Sequence, residues 1–171
     1  MSTLTYLAYL SLGSNLGNRE AQLCEAQKRL GAVGQIKRVS SYYETEPVEF
    51  TEQSWFLNCA LGLETSQNPQ ELMKSILHIE EEMGRRRVQK KGPRTIDIDI
   101  LLFGDQIVNS AEVIIPHPAM QERRFVLEPL AEIAPEVRHP LLYKAIRELL
   151  SELPAAGQIV KKFKSASPTV R

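Results

Sequence analysis

Residues 92–104 read Gly92-Pro93-Arg94-Thr95-Ile96-Asp97-Ile98-Asp99-Ile100-Leu101-Leu102-Phe103-Gly104, an apolar run bounded by Gly-Pro and Gly with two carboxylates set into it. An isoleucine-rich run of this length predicts a strand. Side chains alternate along a strand, so Ile96, Ile98, Ile100 and Leu102 are expected on one face and Thr95, Asp97, Asp99, Leu101 and Phe103 on the other. The two aspartates then point the same way, roughly 7 Å apart at Cα by strand rise, close enough to share hard divalent cations. Just upstream, Arg85, Arg86, Arg87, Lys90, Lys91 and Arg94 crowd cationic side chains into residues 85–94. Cations that hold phosphate beside carboxylates that hold magnesium form the arrangement phosphoryl transfer requires. Each half also has a plainer reading, a solvated strand face for the Asp-x-Asp and a surface or nucleic-acid patch for the basic run. Their adjacency favours function.

At 171 residues the chain is about one domain, large enough to bury a sizeable core. With 43% hydrophobic and 25% charged residues it has the composition of a globular protein. Lys+Arg 21 against Asp+Glu 21 leaves no net charge, which argues against wholesale nucleic-acid or membrane-surface binding. Cys24 and Cys59 belong to no metal or redox spacing and read as reduced, partly buried small hydrophobes, with a bridge between them left open. No signal-peptide pattern and no run of about eighteen apolar residues occurs. A cytoplasmic protein is the default expectation.

Around the central stretch, residues 3–12 predict a strand running into the turn formers Gly13-Ser14-Asn15-Leu16-Gly17-Asn18, which are either a phosphate cradle or a simple strand-to-helix turn. A helix is predicted from Arg19 to Leu30, capped by Asn18 and stopped by Gly31. Residues 36–43 predict a strand, followed by an aperiodic loop over residues 44–53 whose length suggests function. Residues 55–64 predict a third strand with Leu57, Cys59, Leu61 and Leu63 on one face. Phe56, Asn58, Ala60 and Gly62 lie on the other, either a floor for a flat ligand or an ordinary aromatic and amide.

Asn68-Pro69-Gln70-Glu71 starts a helix that carries Leu72, Met73, Ile76, Leu77, Ile79 and Met83 as its buried stripe and stops at Gly84. Its His78 reads as a surface residue and Glu80 to Glu82 as solvated, with Glu80 within reach of whatever the arginines hold. After the Asp-x-Asp strand a tight turn at Gly104-Asp105 sends a short strand back, and Pro116-His117-Pro118 aims one imidazole from a rigid segment. A short helix at residues 122–125 follows, Pro129 and Pro135 break the next helical stretch, and residues 141–153 predict an amphipathic terminal helix. Residues 1–160 form one domain and 161–171 a flexible tail. The order β-α-β-β-α-β followed by a hairpin and helices predicts an α+β, ferredoxin-like core with an antiparallel sheet, both helices on one face and the other left for a ligand.

Residues 92–101 resemble the signature of the 6-hydroxymethyl-7,8-dihydropterin pyrophosphokinase family of the folate pathway. The similarity continues through Gly13-Ser14-Asn15-Leu16-Gly17, Tyr43-Glu44-Thr45-Glu46-Pro47, Phe56-Leu57-Asn58, Gly84-Arg85, Pro116-His117-Pro118 and Arg123-Arg124-Phe125. Leu77, Lys91 and Glu112 depart from the pattern. The resemblance implies transfer of a whole diphosphate from ATP to the pterin hydroxymethyl group, releasing AMP. It implies that Asp97 and Asp99 bind two Mg²⁺ ions and that Arg85 and Arg94 join them in catalysis. It further implies ATP contacts from Glu80, Arg85, Arg87, Arg94, Ile100, His117 and Arg123. Pterin contacts would come from Thr45, Pro47, Val48, Phe56, Asn58 and Phe125. The expected partners are the two substrates, with no nucleic acid or membrane and a monomeric chain. Two other classes stand beside it: a nucleotidyltransferase, whose glycine-serine and Asp-x-Asp motifs normally lie close together, and a single-stranded RNA-binding module, whose aromatic pattern is missing here.

Overall fold

The first two helices begin on side-chain caps. Asn18 accepts the Ala21 N–H at 3.1 Å at the start of α1 (Arg19–Leu30), and Asn68 and Glu71 exchange reciprocal bonds around Pro69 at the start of α2 (Pro69–Glu82). They alternate with strands β1 (Tyr6–Ser14), β2 (Gln35–Val39), β3 (Tyr43–Thr45), β4 (Phe56–Thr65) and β5 (Asp97–Phe103). The computed structural model describes residues 4–46, 55–84 and 95–164.

The main sheet runs β5-β1-β4-β3, extended by β8 (Val160–Lys162), and β2 pairs the far half of β4. Every pairing is antiparallel. With β2 and β3 counted as one interrupted strand, this is the ferredoxin-like order expected from the sequence. A small hairpin joins β6 (Val108–Asn109) to β7 (Ile114–Ile115). A single 3-10 turn (Met120–Glu122) then leads to α3 (Arg124–Ile133) and α4 (Ile146–Ser151). Among the described residues no helix is long and apolar enough to cross a membrane.

Two cores sandwich the sheet. Leu23, Ala26 and Leu30 of α1 and Leu72, Ile76 and Ile79 of α2 pack on Leu10, Leu12, Leu57, Cys59, Leu61 and Leu63. On the opposite face Val126, Leu127, Leu130 and Ile133 of α3, with Ile146 and Leu149 of α4, cover Ala60, Leu101 and Leu102. The second face is therefore not left open as expected. The helices cover its middle.

The structure corrects several other expectations. Leu10 pairs with Ile100 but Tyr9 with Leu102, so Leu101 is an extra residue in β5. This bulge reverses the alternation beyond it, sending Phe103 to the first core and Leu102 to the second. The second strand breaks after Val39, where the Ser40 hydroxyl accepts the Ala60 N–H. β6 pairs with β7 rather than turning back on β5. Pro129 sits inside α3, its cost of roughly 3 kcal/mol offset by the buried apolar face around it. The expected helix at 141–153 shortens to α4, because residues 139–144 wrap on buried His139 instead. Its Nδ1 accepts the Leu141 and Leu142 N–H groups, and Tyr143 takes a positive φ of 57°. Cys24 is exposed rather than partly buried; both cysteines are free, and burial pushes the Cys59 thiol up to about 12. Glu80 is buried, not solvated. β8 carries the sheet into Lys161 and Lys162, at the start of the expected tail.

Candidate active site

Strand register builds the site. Gly13 of β1 pairs with Asn58 of β4 on one side and Asp97 of β5 on the other; one row along, Ser11 pairs with Ala60 and Asp99. Asn58 and Asp97 are thus two strands apart, about 10 Å, with only a glycine between them. A Cβ on Gly13 would lie 2.5 Å from Asn58 Oδ1 and 3.5 Å from a Phe56 ring carbon. The residue is glycine because the Asn58 carboxamide occupies that space.

Asn58 is buried, and its Nδ2 donates to buried Thr45 Oγ1 at 2.6 Å. That bond fixes which way the carboxamide faces. Phe56 projects from the same face of β4, half-buried. Phe125 is the second residue of α3, packed on the rim of the second core with the Arg123 guanidinium 5.5 Å from its ring centroid.

Ile96, Ile98 and Ile100 anchor β5 in the first core, leaving Asp97 and Asp99 half-exposed on the opposite side, as the alternation predicts. Buried Glu80 of α2 accepts the N–H of Ile98, the residue between the aspartates, at 2.8 Å. Asp99 and His117 line a cleft of about 280 Å³ with Met73 and Val113; Ile100 borders it, but its side chain is in the core, so what it presents is main chain. The His117 N–H donates to Leu101 O at 3.0 Å, stitching the proline-flanked segment to the bulge of β5. His117 Nδ1 accepts the Ala119 N–H at 3.1 Å, so the ring proton sits on Nε2. Burial and the nearby Arg123 charge pull the His117 pKa below its ordinary value against the opposing effect of Asp97, keeping the imidazole neutral at pH 7.

Of the residues expected from the sequence, Asp97, Asp99, His117 and Arg123 converge at one end of the sheet. Thr45, Phe56 and Asn58 gather beside them across Gly13, with Phe125 at the rim. Pro47, Val48, Arg85, Arg87 and Arg94 lie outside the described residues. Gly13 and the Glu80–Ile98 bond were not foreseen. Glycine inside a strand signals close approach, which could have marked Gly13; nothing local marks a carboxylate that caps a strand N–H across the fold.

Two half-exposed carboxylates on one face of β5, with Asp99 lining the cleft, are hard oxygen donors suited to Mg²⁺, which commonly takes one or two protein carboxylates and completes its shell with water and phosphate. Among the described residues no group of three or more His, Cys, Asp or Glu side chains forms a closed metal cage. The donor set fits an ion that arrives with a phosphate ligand better than a permanently caged one.

The family model described as 7,8-dihydro-6-hydroxymethylpterin-pyrophosphokinase (HPPK) matches residues 9–135. The 2-amino-4-hydroxy-6-hydroxymethyldihydropteridine pyrophosphokinase of Bacillus subtilis (strain 168) is 48% identical over 133 residues, 77% of this chain and 80% of that protein. The protein of the same name from Aquifex aeolicus (strain VF5) is 41% identical over 144 residues, covering 84% and 90%. The folic acid synthesis protein fol1 of Schizosaccharomyces pombe is 41% identical over 158 residues, but the match is only 22% of that longer protein. Among solved structures, Plasmodium falciparum HPPK-DHPS with pteroate superposes at a TM-score of 0.73 and 20% identity, over 89% of this chain and 43% of that one. That likeness is one of fold.

Proposed function

Since the chain belongs to the 7,8-dihydro-6-hydroxymethylpterin-pyrophosphokinase family, we propose that the row Asn58-Gly13-Asp97 divides its active site into a pterin side and a triphosphate side. The activity is pyrophosphoryl transfer in folate biosynthesis, from ATP to the hydroxymethyl group of 6-hydroxymethyl-7,8-dihydropterin. The observation that carries the division is the pairing of one glycine with the amide on one side and the carboxylate on the other.

On the pterin side, the Asn58 carboxamide, held by Thr45, meets the donor and acceptor edge of the ring, and Phe56 and Phe125 contact its faces. The main chain around Thr45, Pro47 and Val48 contributes further hydrogen bonds. On the other side Asp97 and Asp99 would hold two Mg²⁺ ions, which would neutralise phosphate charge and polarise the phosphoryl oxygens. His117, with its proton on Nε2, donates to a phosphate oxygen, and Arg123 adds a fixed positive charge. Arg85, Arg87 and Arg94 clamp the remaining phosphate oxygens, and Ile100 offers main-chain groups to the nucleotide. Glu80, a further nucleotide-side residue, holds β5 through the Ile98 N–H between the two aspartates.

The pterin hydroxyl oxygen attacks the β-phosphorus of ATP and forms a new P–O bond. The bond from that phosphorus to the oxygen bridging it to the α-phosphate breaks, AMP leaves with the electron pair, and the hydroxyl proton passes to solvent. Positioning two substrates across a bare glycine and stabilising phosphate charge supply the acceleration. The chain acts as a monomer built on one domain that includes β8, binds no nucleic acid, and works in the cytoplasm.

Asp97→Asn tests the division. Turnover should fall by about a hundred- to a thousandfold, the loss expected when one contributor to transition-state charge stabilisation is removed. Pterin binding, followed by its fluorescence, should change by less than about threefold. Retained turnover, or pterin binding lost in parallel, would overturn the assignment.

A further inference from the structure

The strand β8 lies beyond residues 9–135, which the family model matches, yet it pairs with the strand that carries Thr45. Val160 sits opposite Thr45, and Phe163 donates its N–H to Tyr42 O at 2.7 Å. Glu46 is held by two bonds to Ile159, one from its N–H to the Ile159 carbonyl and one from the Ile159 N–H to its carboxylate at 3.3 Å.

The same segment reaches the start of β4. The Lys161 ammonium lies 5.6 Å from the Trp55 ring centroid, and Arg19 joins both elements. Its guanidinium donates to Trp55 O at 3.0 Å, pairs with Glu44 at 2.9 Å and stands 5.8 Å from the Phe163 ring centroid. Residues 159–163 therefore grip Glu46 and Trp55, which flank in sequence the stretch leading from Thr45 to Phe56. Without β8, the three-residue β3 would be a bare sheet edge with unpaired backbone groups. Thr45 orients Asn58, so freedom in β3 passes directly to the amide that meets the pterin.

We propose that β8 is a positioning element of the pterin pocket, holding Thr45, and through it Asn58, in binding geometry from the C-terminal end of the described chain. This rests on the pterin-side assignment made above. The test is a chain ending at Gln158, which keeps the Gln158 bonds to Arg124 and Glu122. Its KM for the pterin should rise roughly five- to tenfold, the scale of re-ordering a polar side chain and short backbone segment on binding. KM for ATP and kcat should stay within about twofold. Thr45→Val in the full chain should raise the pterin KM comparably, and combining it with the truncation should add little, because the two act through one contact.

A pterin KM unchanged by truncation, or pterin and ATP KM rising together, would overturn the inference. Should the shortened chain show no cooperative melt, Ile159→Pro in the full chain decides by the same criteria, since it removes the donor to Glu46. A full chain that never turns over the pterin sinks the functional reading instead, so the two failures are told apart.

Discussion

Gly13→Ala is the sharpest single perturbation of the site. The added methyl would start 2.5 Å from Asn58 Oδ1, so the carboxamide must retreat by roughly 0.5–1 Å to reach ordinary contact. Its Nδ2 is bonded to Thr45 Oγ1 at 2.6 Å, and both residues are buried. Because β3 lies on the far side of β4 from Gly13, that retreat drives the carboxamide into a bond already at its short limit, so the buried pair must turn out of its geometry, a cost of about 1–3 kcal/mol in stability. The pterin should then bind about 10–100-fold more weakly, or roughly 1.4–2.8 kcal/mol, because the amide proposed to meet it has lost its orientation. Asp97 is the other neighbour of Gly13 but belongs to the proposed triphosphate side, so ATP affinity should change little. The assays are urea unfolding and separate titrations with each substrate. Gly62→Ala, one strand over, is the control: its Cβ would meet a Tyr9 ring carbon at an ordinary 3.5 Å, and it should leave pterin affinity alone. Wild-type pterin affinity and stability in Gly13→Ala would refute the reasoning, as would equal effects of the two substitutions.

Glu80→Leu should destabilise the chain by about 1–3 kcal/mol, because the buried Ile98 N–H loses its acceptor, whereas Glu80→Gln keeps an oxygen there and should cost less; urea midpoints compare them. Tyr43→Phe removes the donor to Glu132 and should cost about 1 kcal/mol. In Glu132, burial works to raise the pKa but the bonds from Tyr43 and Ser41 prevail and lower it, so much of that cost should vanish once the medium is acid enough to protonate the carboxylate. Burial lowers the His139 pKa, so between the folded value and about 6.5 the unfolded chain binds the extra proton. Its contribution to stability is therefore complete above about pH 6.5 and lost as pH falls through the folded value, and His139→Gln should flatten that part of the pH dependence of the unfolding free energy.

Elements with local signals were legible in the sequence. Asn18 and the Asn68-Pro69-Gln70-Glu71 box fix the starts of α1 and α2, and the isoleucine run with its two aspartates fixes β5 and the face its carboxylates take. What was not legible depends on partners distant in sequence. The bulge at Leu101 exists only relative to Leu10 and Tyr9, so the faces of Leu102 and Phe103 cannot be read from β5 alone. Pro129 is tolerated because α3 has a buried face to pack, and the residues expected to begin the last helix are bound instead to His139. Glu80 looks solvated in an acidic run until Ile98 N–H is brought beside it. The residues of the proposed pterin side could be named from the sequence but not arranged, because Gly13, Asn58 and Asp97 become neighbours only through the register of three strands. β8 gave no signal, since a three-residue strand with two lysines has the composition of a tail.

The most direct measurement is product identity. Incubated with ATP, Mg²⁺ and 6-hydroxymethyl-7,8-dihydropterin, the chain should release AMP in a one-to-one ratio with a pterin carrying both transferred phosphates, read by phosphorus NMR and chromatography. ADP with a singly phosphorylated pterin, or AMP released with free pyrophosphate and no pterin product, would contradict pyrophosphoryl transfer.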